Sequence, residues 1–112
     1  MHYTCDVLPR RLLDGLNYFR INQIHCDVTI IEESSHSKHL AHRVVLASVS
    51  DYFRPMLSGN YKESRQNEIV ISGVEDKALK FIIEFIYTSE INLMKIMFDL
   101  YCKLRLTFRS LK

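Results

Sequence analysis

Leu40-Ala41-His42-Arg43-Val44-Val45-Leu46-Ala47-Ser48, followed by Asp51-Tyr52-Phe53-Arg54-Pro55-Met56-Leu57, is the stretch on which the fold turns. It reads as a short strand end, a buried helix and a second short helix. Apolar residues stand at 40, 44, 45, 46 and 49, and again at 52, 53, 56 and 57. Spacings of three and four place Val45, Val49, Tyr52 or Phe53, and Met56 on one continuous helical face. Such a face is too apolar for water, so the segments on either side must cover it. Upstream, Asp27 is the one acid embedded in an apolar strand. A buried carboxylate needs a cation or several donors, and Arg43 is its expected partner.

Toward the N-terminus, Leu8, Leu12, Leu16 and Phe19 recur at 4, 4 and 3, with Leu13 widening the stripe. Residues 8–20 therefore read as an amphipathic helix, with Asp6 able to cap it and Pro9 in its first turn. The stripe must find a partner: either the helix folds back on its own core or it meets another chain. Residues 27–33 are β-branched and read as a strand. Residues 33–37 are a polar turn, and Lys38 to Ala41 return as a second strand.

Toward the C-terminus, Gly59-Asn60 closes the second short helix, and a polar loop from Lys62 to Asn67 leads into a strand over 68–72. Gly73 turns the chain into the most apolar helix, about residues 75–87. Ala78, Leu79, Phe81, Ile82, Ile83, Phe85 and Ile86 leave that helix almost no polar face. Each large side chain buried there contributes about 1.5–3 kcal/mol. Strands and helices segregated in this way predict an α+β fold, a small mixed three-stranded sheet covered by a cluster of helices.

A length of 112 residues fits one domain, and 47% apolar with 25% charged residues is ordinary for a soluble globular chain. Cys5, Cys26 and Cys102 are scattered and form no C-x-x-C pair, which argues against a disulfide framework or a zinc site. A reducing compartment, cytoplasmic or nuclear, is expected. No apolar run approaches the roughly 20 residues of a membrane span. The net charge of +2 is uneven. Residues 1–93 hold ten Lys/Arg against twelve Asp/Glu, net −2, and residues 94–112 hold five against one, net +4. The excess base lies in the tail, so neither nucleic acid nor membrane is an expected partner.

His36, His39 and His42 stand three apart, a spacing that fits neither strand nor helix face, so no metal is expected. His42 is read instead as satisfying backbone groups at the strand-to-helix turn. Ser48, Ser50 and Asp51 are read as caps beside a helix start. The chain has no G-x-S-x-G elbow and no Gly-rich phosphate loop, which predicts neither an enzyme nor a cofactor.

Several motifs in order carry a resemblance. They are Leu12-Leu13-Asp14-Gly15-Leu16-Asn17, Cys26-Asp27-Val28, Ala41-His42-Arg43, Val45-Leu46-Ala47, Asp51-Tyr52-Phe53, Tyr61-Lys62-Glu63-Ser64 and Phe85-Ile86-Tyr87-Thr88. Over about residues 8–93 the chain resembles a BTB (POZ) domain of the kind that opens kelch-type adaptors. The resemblance implies homodimers, or heterodimers with other BTB chains, through Leu8, Leu12, Leu13, Leu16 and Phe19, with Asp27 and Arg43 near the seam. It also implies binding to the cullin-3 scaffold of a ubiquitin ligase. Tyr61 would fill an apolar slot, Glu63 would offer a charged hydrogen bond, and Tyr52 and Met56 would lie beside them.

Two features depart from the family. Pro55 stands where a small helix former is usual, and it removes a donor from the second short helix. Residues 94–112 lack the family's wording and read as a divergent basic helical tail, with Leu93, Met97, Leu100, Leu104, Phe108 and Leu111 on one stripe. The length leaves no room for kelch repeats of about 50 residues. The leading expectation is an interaction module without substrate-binding repeats. The alternatives are a transcription-regulator BTB domain that binds corepressor peptides, or a truncated product without activity of its own.

Overall fold

One strand organises the sheet. In the computed structural model, which describes residues 1–58 and 67–90, β1 (Val28–Glu32) lies between β2 (Lys38–Ala41) and β3 (Glu68–Ile71). It pairs antiparallel with β2, setting Ile30 opposite His39, and parallel with β3, setting Ile30 beside Ile69. The sheet is mixed, as expected. Val28, Ile30 and Glu32 alternate inward along β1, and Ile69 and Ile71 do so along β3.

Four helices complete the described residues: α1 (Leu8–Ile21), α2 (Arg43–Val49), α3 (Phe53–Ser58) and α4 (Asp76–Thr88). The core is built chiefly from the inner sheet face, Leu46, Phe53 and α4, where Leu79, Ile82 and Ile83 are almost wholly enclosed. Phe81 and Phe85 pack partly buried against it. Gly73 has φ 79°, a left-handed turn into α4 that suits a residue without a Cβ.

Three expectations need correction. The helical face through Val45 and Met56 is not continuous, because Ser50 is extended between α2 and α3. Its hydroxyl accepts the Phe53 N–H at 3.2 Å, so one serine ends one helix and caps the next. Pro55 then falls within the first turn of α3, where a missing donor has little helical use. Asp6 does not cap α1: Val7 occupies the cap position, and no side chain bonds the free amides. Asp27 is not an embedded strand acid either, since β1 begins after it and its side chain is exposed.

The enclosed acid is Glu32, only 3% exposed. Its carboxylate accepts the Ser34 and Ser35 N–H groups, each at 2.9 Å, and the Ser34 hydroxyl at 2.7 Å. These donors, the Ser34 amide first, hold its pKa down to about 2. The turn between β1 and β2 is thus folded around a charge. Gly59 and Asn60 lie outside the described residues.

Candidate protein-interaction surface

Helix α1 buries none of its fourteen residues. One side approaches α4, with Leu16 packed against the core and Leu13, Asn17 and Arg20 half-buried. Arg10 fastens the helix's first turn: its guanidinium donates to the Thr88 carbonyl at 2.8 Å and meets the Glu90 carboxylate at 3.3 Å. A cation at the end of α4 complements the free carbonyls there. The expected apolar stripe therefore divides. Leu16 turns inward, whereas Leu8 and Leu12 are 60% and 63% exposed and Phe19 is exposed beside them.

The connection from α1 to β1 is held by His42. Its Nε2 lies 2.9 Å from the Ile24 carbonyl, and its Nδ1 lies 2.8 Å from the Tyr87 hydroxyl. The His42 backbone N–H also donates to that hydroxyl at 2.8 Å. Tyr87 must then give its own proton to Nδ1, which leaves the ring proton on Nε2 for Ile24. The Arg20 guanidinium caps the Tyr87 ring at 5.2 Å. The ring of His42 was expected to satisfy backbone groups at its own strand-to-helix turn; it meets instead one carbonyl 18 residues back and the Tyr87 hydroxyl 45 residues on.

Burial pushes the Tyr87 hydroxyl well above its usual range. Cys26, 3.7 Å from His42, has its thiol pKa raised, first by burial and then by the Asp27 charge. A thiol held protonated is a poor nucleophile. The other two of the three evenly spaced histidines go elsewhere: His39 pairs with Asp76 at 2.7 Å, joining β2 to α4, and His36 sits in the exposed turn. Among the described residues no group of His, Cys, Asp and Glu is placed to hold a metal.

Asp27 and Arg43 are neighbours, but through a different contact from the one expected. The Asp27 carboxylate accepts the backbone N–H of Arg43 at 2.7 Å, closing the start of α2 from outside the helix. The Arg43 Nε donates to the Asp27 carbonyl at 3.3 Å. Beside this contact a shallow concavity is lined by Val44, Ala47 and Leu57. Val44 is 74% exposed at its edge. On α3 and just before it, Met56 and Tyr52 lie half-buried against the core, the Tyr52 ring edge-on to Phe53 at 5.3 Å. Tyr61 and Glu63 lie outside the described residues.

The exposed apolar residues of α1 and α2 give the described residues a surface suited to contact with another protein. A family model described as the BTB/POZ domain matches residues 16–111, running past Leu93, and the chain belongs to that family. It is 45% identical over 91 residues to Kelch-like protein 22 of Mus musculus, covering 81% of this chain and 14% of that protein. Kelch-like protein 22 of Homo sapiens is also 45% identical, over 82 residues, covering 73% of this chain and 13% of that one. The chain thus spans about one seventh of these relatives. The BTB domain of zebrafish PATZ1 superposes with a TM-score of 0.79 at 23% identity, covering 95% of this chain and 87% of the other, a likeness of fold.

Proposed function

We propose that this chain is a homodimerising BTB module of the kelch-like kind, able to pair with other BTB chains and to engage the cullin-3 scaffold of a ubiquitin ligase. The observation that carries the reading is α1, a helix with no buried residue and an outward apolar face of Leu8, Leu12 and Phe19. Contiguous apolar faces on soluble domains serve contacts, and a self-complementary contact closes as a two-fold pair. Val44 and the Asp27–Arg43 contact would lie near that seam.

The cullin surface would draw on Tyr52 and Met56, at and just before α3, together with Tyr61 and Glu63. That part rests on the family resemblance and on the likeness to Kelch-like protein 22. An aromatic anchor beside a charged acceptor is the composition of an interface hot spot. Light scattering after gel filtration tests the dimer: we expect a two-fold mass that Leu12→Glu halves, and a clean monomer unaffected by that change ends the reading. Calorimetry with a cullin-3 N-terminal domain tests the second part. Binding that ignores Tyr61→Ala combined with Glu63→Lys removes the adaptor assignment.

A further inference from the structure

The turn between β1 and β2 contains three serines, Ser34, Ser35 and Ser37, and they are not equivalent. Ser34 sets its hydroxyl 2.7 and 2.9 Å from the two oxygens of the Glu32 carboxylate. Its backbone N–H donates to the same carboxylate at 2.9 Å. The Ser35 hydroxyl turns away and donates to the Ser37 hydroxyl at 3.0 Å. Ser34 is exposed, whereas the carboxylate it holds is enclosed and ionised, with its pKa held to about 2. One hydroxyl thus joins the surface of the turn to an enclosed charge.

Both neighbours of β1 are tied in beside that charge. The Glu32 N–H donates to the Ser37 carbonyl at 3.0 Å, and the His36 N–H donates to the Glu32 carbonyl at 2.8 Å. The next amide, that of Glu33, donates to the Ile71 carbonyl of β3 at 3.0 Å. Beyond the turn, β2 carries His39, whose contact with Asp76 grips the start of α4. A group that could not stay beside Glu32 would loosen β2 first, and the Ile71 contact with it.

We propose that Ser34 is a phosphorylation site, and that its phosphate unlocks the β1–β2 turn. The donor is a nucleoside triphosphate bound to a serine kinase. The bond from Ser34 Oγ to the γ-phosphorus forms as the bond from that phosphorus to the β–γ bridging oxygen breaks. The nucleoside diphosphate leaves, and the hydroxyl proton passes to a carboxylate of the kinase. Transfer takes place while the turn is open, because in the closed turn Glu32 already holds that proton. Glu32 and Glu33 then precede the serine in an extended segment, which suits a kinase with a basic peptide site. The phosphate adds a charge of about −1.5 to −2 and removes the hydroxyl donor. Closure would press it onto an ionised carboxylate, so the modified turn stays open.

Mass spectrometry of the full chain, expressed in cultured cells with phosphatases inhibited, should find phosphate on Ser34; its absence there overturns the site. Full chains carrying encoded phosphoserine in place of Ser34 or of Ser35 are then compared by amide exchange. Modification of Ser34 should speed exchange over residues 28–41 and 68–71 about tenfold or more, as for loss of a hydrogen bond to a charge. Modification of Ser35 should do so several-fold less. Equal effects at the two serines, or none at Ser34, overturn the unlocking. Glu32→Gln removes the charge that the phosphate meets, so the effect of modifying Ser34 should shrink to about threefold or less in that chain. An undiminished effect there shows the phosphate acting through another contact and equally ends the proposal. If Glu32→Gln does not fold, the comparison of Ser34 with Ser35 decides.

Discussion

Helices α1 and α4 are nearly the same length, fourteen and thirteen residues, and both carry leucines and isoleucines at helical spacing. Their fates differ. Six residues of α4 are buried: Ala78, Leu79, Ile82, Ile83, Ile86 and Tyr87. None of α1 is. An apolar stripe states a requirement for cover, and topology decides whether the same chain supplies it. Among the described residues, α4 has the sheet and α2 on its apolar side, whereas α1 meets one flank of α4 and is fastened there largely by arginines.

The sharpest way to break this contrast is to make the same kind of change in both helices. Leu79→Ala should destabilise the domain by about 2–5 kcal/mol in urea unfolding, the range for an enclosed leucine. A loss below that range would mean that α4 is not the core element described above. A buried contact between α4 and the start of α2 gives the intermediate case. Tyr87→Phe leaves the His42 amide and Nδ1 without their partner and should lower stability by about 1–3 kcal/mol. The same variant should speed amide exchange around residues 24–26, which hang on His42; unchanged exchange there would show that the joint does not hold the α1 connection. The smallest effect belongs to α1. Leu12→Ser, measured at a dilution that keeps the chain monomeric, should change stability by no more than about 0.5 kcal/mol. A loss approaching that of Leu79→Ala would place Leu12 in the monomer's core.

Much of this was legible in the sequence because it depends on local periodicity. The strand over 38–41, the turn at Gly73 and the apolar side of α4 follow from residues within a few positions of one another. The polar contacts were less legible because they depend on donors the sequence does not display. Asp27 needed a partner, and the nearest strong donor proved to be a backbone amide at a helix start rather than the guanidinium on the same residue. Glu32 carried no mark of its role in the sequence, because the Ser34 and Ser35 amides reach it only once the chain turns. The division of α1's stripe was hidden for a similar reason. Leu12 and Leu16 are equivalent in sequence pattern, and only the direction from which α4 approaches separates them.

The order of strands in the sheet has a consequence for how the domain assembles. β1 finds β2 after a turn of a few residues, but its parallel partner β3 is far away: Ile30 and Ile69 are 39 positions apart. Closing so long a loop before any contact repays it is entropically unfavourable. The hairpin can form early, while the third strand must wait for α2 and α3 to gather the chain between them. Rate measurements on Ile30→Val and Ile69→Val should reflect that sequence, with the first slowing refolding and the second mainly hastening unfolding. Equal effects on refolding would mean that both edges of the sheet close together. Until the late strand arrives, the β3 side of β1 presents an unpaired edge, the stage at which a newly made chain is most open to pairing with the wrong neighbour.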